Sequence, residues 1–87
     1  MTGDELRRVI LRVLGEIAPE ADLPGLKLDV SLRDQLDLDS MDVLNFVIGL
    51  HETLRVDIPE ADYPQLLTVN GAMQYLAAAL ASTSSSS

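Results

Sequence analysis

Apolar residues recur with helical spacing in three stretches of the chain. Leu6, Val9, Ile10, Val13, Leu14 and Ile17 fall at i, i+3, i+4, i+7, i+8 and i+11, the stripe of an amphipathic helix. Thr2 precedes that stripe with Glu5 three residues on, the pattern of a capping box, and Pro19 limits the far end. Val43, Phe46, Val47, Leu50 and Leu54 make a second stripe, predicting a helix from Asp39-Ser40 to about Leu54. Val69, Ala72, Met73, Leu76 and Leu80 make a third, with Thr68 placed to cap it. Between these two a short helical piece is predicted near Pro59–Leu67, weakened by Pro64, which has no N–H to donate.

Residues 18–39 carry a different pattern. Leu26, Leu28, Val30 and Leu32 alternate with period two, yet Pro19, Pro24 and Gly25 punctuate the stretch. A lone strand without a partner has nothing to pair with in so short a chain. The segment therefore reads as a long ordered loop whose leucines pin it to the bundle. The predicted fold is all-α, a small four-helix bundle of three main helices plus one short helix, with a long first loop. Residues 1–81 form the domain, and the Ser-rich residues 82–87, with nothing to bury, are expected to be a disordered tail.

Composition narrows this picture. Eighty-seven residues allow one domain, and 3% aromatics require an aliphatic core, which suits helices. With no cysteine, neither a thiolate zinc site nor a disulfide framework can be built; a catalytic triad is remote because His51 is the only imidazole, and no metal site is expected. No run approaches the roughly 20 apolar residues of a membrane span, and no signal-peptide pattern is read at the start. The net charge of −8 argues against nucleic acid and anionic bilayers as partners.

The charge is unevenly spread. Residues 1–28 carry a net −1, residues 29–62 carry nine acids and two bases for a net −7, and residues 63–87 carry no charged side chain. Such a segment is either a solvated acidic face or a docking surface for basic partners.

The helix that begins near Ser40 has a second apolar arc. At about 100° per residue, Met41, Leu44 and Ile48 lie roughly 120–140° from the first stripe, with Glu52, Asn45 and Arg55 on or near that arc. Either both arcs are core, or the second meets a partner.

Ser40 itself opens that helix after Asp37-Leu38-Asp39, as an N-cap would. Self-contained serine hydrolysis is excluded. There is no Gly-x-Ser-x-Gly elbow, and His51 is about 16 Å further along the helix, far beyond hydrogen-bond reach. The aspartates also lack the glycine and glutamate of an EF-hand. A helix N-terminus does favour a phosphate group, through free N–H groups and the helix dipole, although the neighbouring aspartates oppose its charge.

The stretch Leu36-Asp37-Leu38-Asp39-Ser40-Met41-Asp42 resembles the attachment motif of the acyl carrier proteins and related phosphopantetheine-bearing carriers. The likeness continues through Val43–Leu54, Val56-Asp57-Ile58-Pro59 and Leu67-Thr68-Val69 followed by Met73 and Leu76, and together with the first helix it covers essentially residues 3–80. It implies that Ser40 carries 4′-phosphopantetheine, taken from coenzyme A by a phosphopantetheinyl transferase, and that Asp39 positions the serine. It further implies that Met41, Leu44 and Ile48 dock partner enzymes, with Asp39, Asp42 and Glu52 meeting their basic residues. Those partners would be acyl ligases, synthases or acyltransferases of fatty-acid, polyketide or related lipid biosynthesis. The chain itself would be a non-catalytic, monomeric, cytoplasmic carrier.

Asn45 and His51 stand where fatty-acid carriers often have acids, and Pro64 interrupts the third helical stretch, which leaves room for a dedicated pathway. Two other readings stay open: a D-alanyl or peptidyl carrier, and a cofactor-free helical interaction domain in which Ser40 is only a cap.

Overall fold

The computed structural model describes residues 2–21 and 23–85, and their side chains other than those of Pro24 and residues 82–85. Among the described residues four α-helices follow one another as α1 (Gly3–Ile17), α2 (Leu32–Leu36), α3 (Ser40–Leu54) and α4 (Val69–Ser85). Two 3₁₀ segments, Leu23–Gly25 and Glu60–Leu66, complete an all-helical array.

Helix α1 begins as its sequence demands. The Glu5 N–H donates to Thr2 Oγ1 at 3.2 Å, and the Thr2 N–H donates back to Glu5 Oε1 at 3.4 Å. Leu6, Ile10, Val13 and Leu14 are buried on one side of it. That stripe packs against both α3 and α4, which makes α1 the element shared by the whole core. Phe46, Val47, Leu50 and Leu54 of α3 and Val69, Ala72 and Leu76 of α4 are buried in the same core. The α1–α3 approach is close enough to need a missing side chain. A Cβ placed on Gly49 would lie 2.6 Å from Val13 Cγ1, so the glycine lets the two helices meet.

The long first segment differs from the expected loop. It contains the 3₁₀ turn at Leu23–Gly25 and the one-and-a-half-turn helix α2. Its leucines do not all serve as pins: Leu26 packs on the core and Leu32 is buried, but Leu28 and Val30 are exposed. Hydrogen bonds hold the intervening backbone instead. The Gln35 carboxamide accepts from the Lys27 N–H at 2.7 Å and donates to the Lys27 and Val30 carbonyls, each at 2.8 Å. The Leu32 N–H reaches the Leu67 carbonyl at 2.6 Å, and the Asn70 N–H reaches that of Leu28 at 3.1 Å. Asn70 also pairs through its side chain with Asp29. The alternation of leucines reflected irregular backbone tied down by a glutamine and an asparagine, whose roles leave no periodic trace.

Pro64 shapes the second 3₁₀ segment. The Asp62 N–H donates to the Pro59 carbonyl and the Leu67 N–H to that of Pro64, the tighter i→i+3 pattern rather than the α-helical one. Thr68 caps α4 through the Gly71 N–H at 2.9 Å. The tail expected over residues 82–87 lies outside the described residues, save for the backbone of α4, which runs on to Ser85.

One bond ties α4 to the 3₁₀ segment: the Tyr75 hydroxyl donates to Asp62 Oδ2 at 2.7 Å. Partial burial, that hydrogen bond and the nearby negative charge together push the Tyr75 hydroxyl up to about 12. A proton held more tightly in the folded state stabilises below the unfolded value of about 10 and is lost as pH rises through the folded one. Stability is therefore expected to fall between about pH 10 and pH 12, and Tyr75→Phe should flatten that fall. Denaturant titrations across this range, with phenolate absorbance followed in a Tyr63→Phe background, measure both.

Candidate functional site

The seven residues singled out in the sequence all sit on α3 or at its cap. Asp39 is the N-cap, not Ser40. The Asp42 N–H donates to Asp39 Oδ1 at 2.8 Å, and the Asp39 N–H donates to Asp42 Oδ2 at 3.3 Å, a complete capping box. The reading of Ser40 as the cap is thereby corrected. An aspartate one position earlier has the carboxylate, the extended backbone (φ −92°, ψ −177°) and the N3 partner that the role requires.

Ser40 is the first residue of the helix proper, exposed, and its hydroxyl makes no hydrogen bond among the described residues. Of the first N–H groups of α3, that of Asp42 is taken by Asp39 and that of Val43 by the Asp39 carbonyl at 3.1 Å. Those of Ser40 and Met41 have no intramolecular partner among the described residues, as expected for the first turn of a helix.

The two arcs of α3 separate cleanly. The first is buried at Phe46, Val47, Leu50 and Leu54, and Val43 packs at its edge. On the second, Met41 is 62% and Ile48 42% exposed, while Leu44 is half-buried. The second arc is thus not core. Glu52 is exposed three turns along from Ser40, and Asp42 is half-buried. His51 is committed to the far end of the helix, where Nδ1 donates to the Val56 carbonyl at 2.8 Å and lies 3.8 Å from Asp57. It helps close a C-terminus whose last turn is finished by Arg55 in the left-handed conformation, φ 58°.

Sequence reasoning missed a cleft beside the serine. Ser40, Val43 and Leu44 form one wall of a space of about 370 Å³; Arg33 from α2, and Glu60 and Tyr63 from the 3₁₀ segment, form others. Tyr63 also borders a second hollow, of about 440 Å³, against Ile48 and His51. Arg33 and Glu60 were visible only as charges in the acidic segment. Their convergence on Ser40 depends on where α2 and the 3₁₀ segment fold.

Fold and site together define a class: a small acidic helical domain that presents a free serine hydroxyl at the head of a half-exposed helix. Among the described residues no three His, Cys, Asp or Glu side chains gather as a metal site, and no helix is long and apolar enough to cross a membrane.

Comparison with known proteins takes the class further. Residues 4–76 match the PP-binding family, the phosphopantetheine attachment site. The chain is 38% identical over 83 residues to the acyl carrier protein of Renibacterium salmoninarum, covering 92% of this chain and 98% of that protein. It is 37% identical over 75 residues to that of Beutenbergia cavernae, covering 83% and 92%. Over 73 residues it is 29% identical to that of Campylobacter fetus, covering 84% and 88%. The chain belongs to the phosphopantetheine-attachment family and is a non-catalytic carrier protein.

Capping by Asp39 separates two substitutions that sequence alone would confound. Asp39→Ala should cost about 0.5–2 kcal/mol through loss of the box. Ser40→Ala, at an exposed position with no bond to lose, should stay within about 0.5 kcal/mol of the parent. Denaturant unfolding of the two variants side by side checks the difference.

Proposed function

We propose that Ser40 bears the 4′-phosphopantetheine arm and that the protein carries acyl groups between enzymes of fatty-acid, polyketide or related lipid synthesis. The observation that carries this reading is the unpartnered, exposed Ser40 hydroxyl at the start of α3, freed because Asp39 performs the capping. Ser31 also makes no capping bond, but it is half-buried and heads a helix of only 5 residues. The free N–H groups of Ser40 and Met41 suit a phosphodiester at that hydroxyl. Relatives named acyl carrier protein favour acyl cargo over D-alanyl or peptidyl cargo.

When attached, the arm supplies a terminal thiol that holds an acyl group as a thioester. The residues of the chain do the rest. Asp39 fixes the start of α3 and so the position of the Ser40 hydroxyl, for a phosphopantetheinyl transferase to meet. Met41 and Ile48 offer a small apolar patch, flanked by Leu44, for acyl ligases, synthases or acyltransferases. Asp39, Asp42 and Glu52 lie around it, an acidic rim that steers basic docking surfaces and raises on-rate more than residence time. Rapid exchange is what carriage needs. The working unit is residues 1–81 as a cytoplasmic monomer, with the Ser-rich residues 82–87 taking no part.

Incubation with coenzyme A and a phosphopantetheinyl transferase should raise the intact mass by one phosphopantetheine, mapped to Ser40 and absent in Ser40→Ala. An adduct on Ser31, or none with several transferases, overturns the assignment, and the latter result favours a cofactor-free interaction domain. Loading assays with fatty-acyl and amino-acid ligases should then show transfer from the former only.

Docking on the second arc predicts that Met41→Glu and Ile48→Glu slow loading by at least tenfold while helical circular dichroism and Tm stay close to the parent. Unchanged loading rates would remove these residues from the interface.

A further inference from the structure

We propose that Arg33 is the counter-ion of the phosphodiester on Ser40, an inference that rests on the attachment reading above. The neighbourhood of Ser40 is hostile to added negative charge: Asp37, Asp39 and Asp42 surround it in the chain, and Glu60 lines the same cleft. The carboxylates of Asp39 and Asp42 are held at the head of α3 by their capping bonds, so they remain beside the serine. Against them stands one cationic side chain in that cleft, Arg33.

Arg33 is available. Its side chain makes no ion pair or hydrogen bond among the described residues, although Asp34 and Asp37 are close in sequence. Asp37 is four residues on and would pair with it in a continuing helix. The left-handed turn at Asp37, φ 53°, ends α2 at Leu36 and breaks that register. The other base of the acidic segment, Arg55, caps the opposite end of α3, about 22 Å from Ser40 at 1.5 Å per residue.

A phosphodiester has two non-bridging oxygens sharing one charge, and the planar guanidinium fork can donate to both at once. Arg33 on one side and the free N–H groups of Ser40 and Met41 on the other would offset the acids and hold the root of the arm at the mouth of the cleft. The acidic rim can then remain intact for partners.

A thermodynamic cycle tests this. The parent, Arg33→Gln and Arg33→Lys are converted fully to the phosphopantetheinylated form, with completion and attachment at Ser40 established by intact mass and peptide mapping. Absence of the adduct on Ser40 in the parent defeats the attachment reading, whatever Arg33 does. With the adduct in place, the change in Tm from unmodified to modified protein is compared between variants, which cancels any effect of the substitution on the unmodified fold. The parent should gain roughly 1–8 °C relative to Arg33→Gln at low salt. The gain should shrink as salt rises, and Arg33→Lys should keep part of it. The phosphorus NMR shift of the modified protein should also move between parent and Arg33→Gln. Equal Tm changes in all three proteins, with an unmoved phosphorus resonance, would overturn the role given to Arg33.

Discussion

The structure depends on the packing of α1 against two helices at once. In so small a chain with few aromatics, no single pair of helices buries enough aliphatic surface to stand alone. Leu6, Ile10, Val13 and Leu14 of one helix serve the faces of both α3 and α4. That economy demands close approach, which Gly49 permits by leaving room for Val13. It also leaves α3 committed to the core on one side only. On the other side Met41 and Ile48 stay exposed, while Leu44 is half-buried at the cleft.

The site follows from how α3 is begun. Had Ser40 been the cap, its hydroxyl would have been occupied by the backbone, and the proposed attachment there would compete with helix stability. Placing the cap on Asp39, with Asp42 returning the bond, separates the two demands. The helix start is secured by carboxylates, and the serine hydroxyl beside it is left without structural work. The same carboxylates supply the acidic rim, so one local arrangement stabilises a helix terminus and sets the electrostatic character of the surface.

Much of this was legible in the chain. Three apolar stripes located α1, α3 and α4, Thr2 and Thr68 marked helix starts, and Pro64 marked the weakness of the segment that became 3₁₀. Ser40 stood out through the resemblance of its surroundings to an attachment motif. The long first segment was less legible. Leu26, Leu28, Val30 and Leu32 looked alike in pattern, yet two pack inward and two do not. Around them the backbone is held by Gln35, which bonds the Lys27 and Val30 main chain, and by Asn70, which reaches the Leu28 carbonyl and the Asp29 carboxylate.

The sequence by itself determined the helical character, the aliphatic core, the concentration of acid around one serine and the absence of the cysteine and histidine sets that many catalytic sites need. These are properties of composition and local periodicity, carried by residues near one another in the chain. Tertiary structure alone decided which arc of α3 is covered, and that Arg33, Ser40 and Glu60 border a common cleft. The reason is physical. A helical stripe records that a face is apolar, but whether that face meets solvent depends on elements tens of residues away, and a side chain's partner depends on how those elements turn.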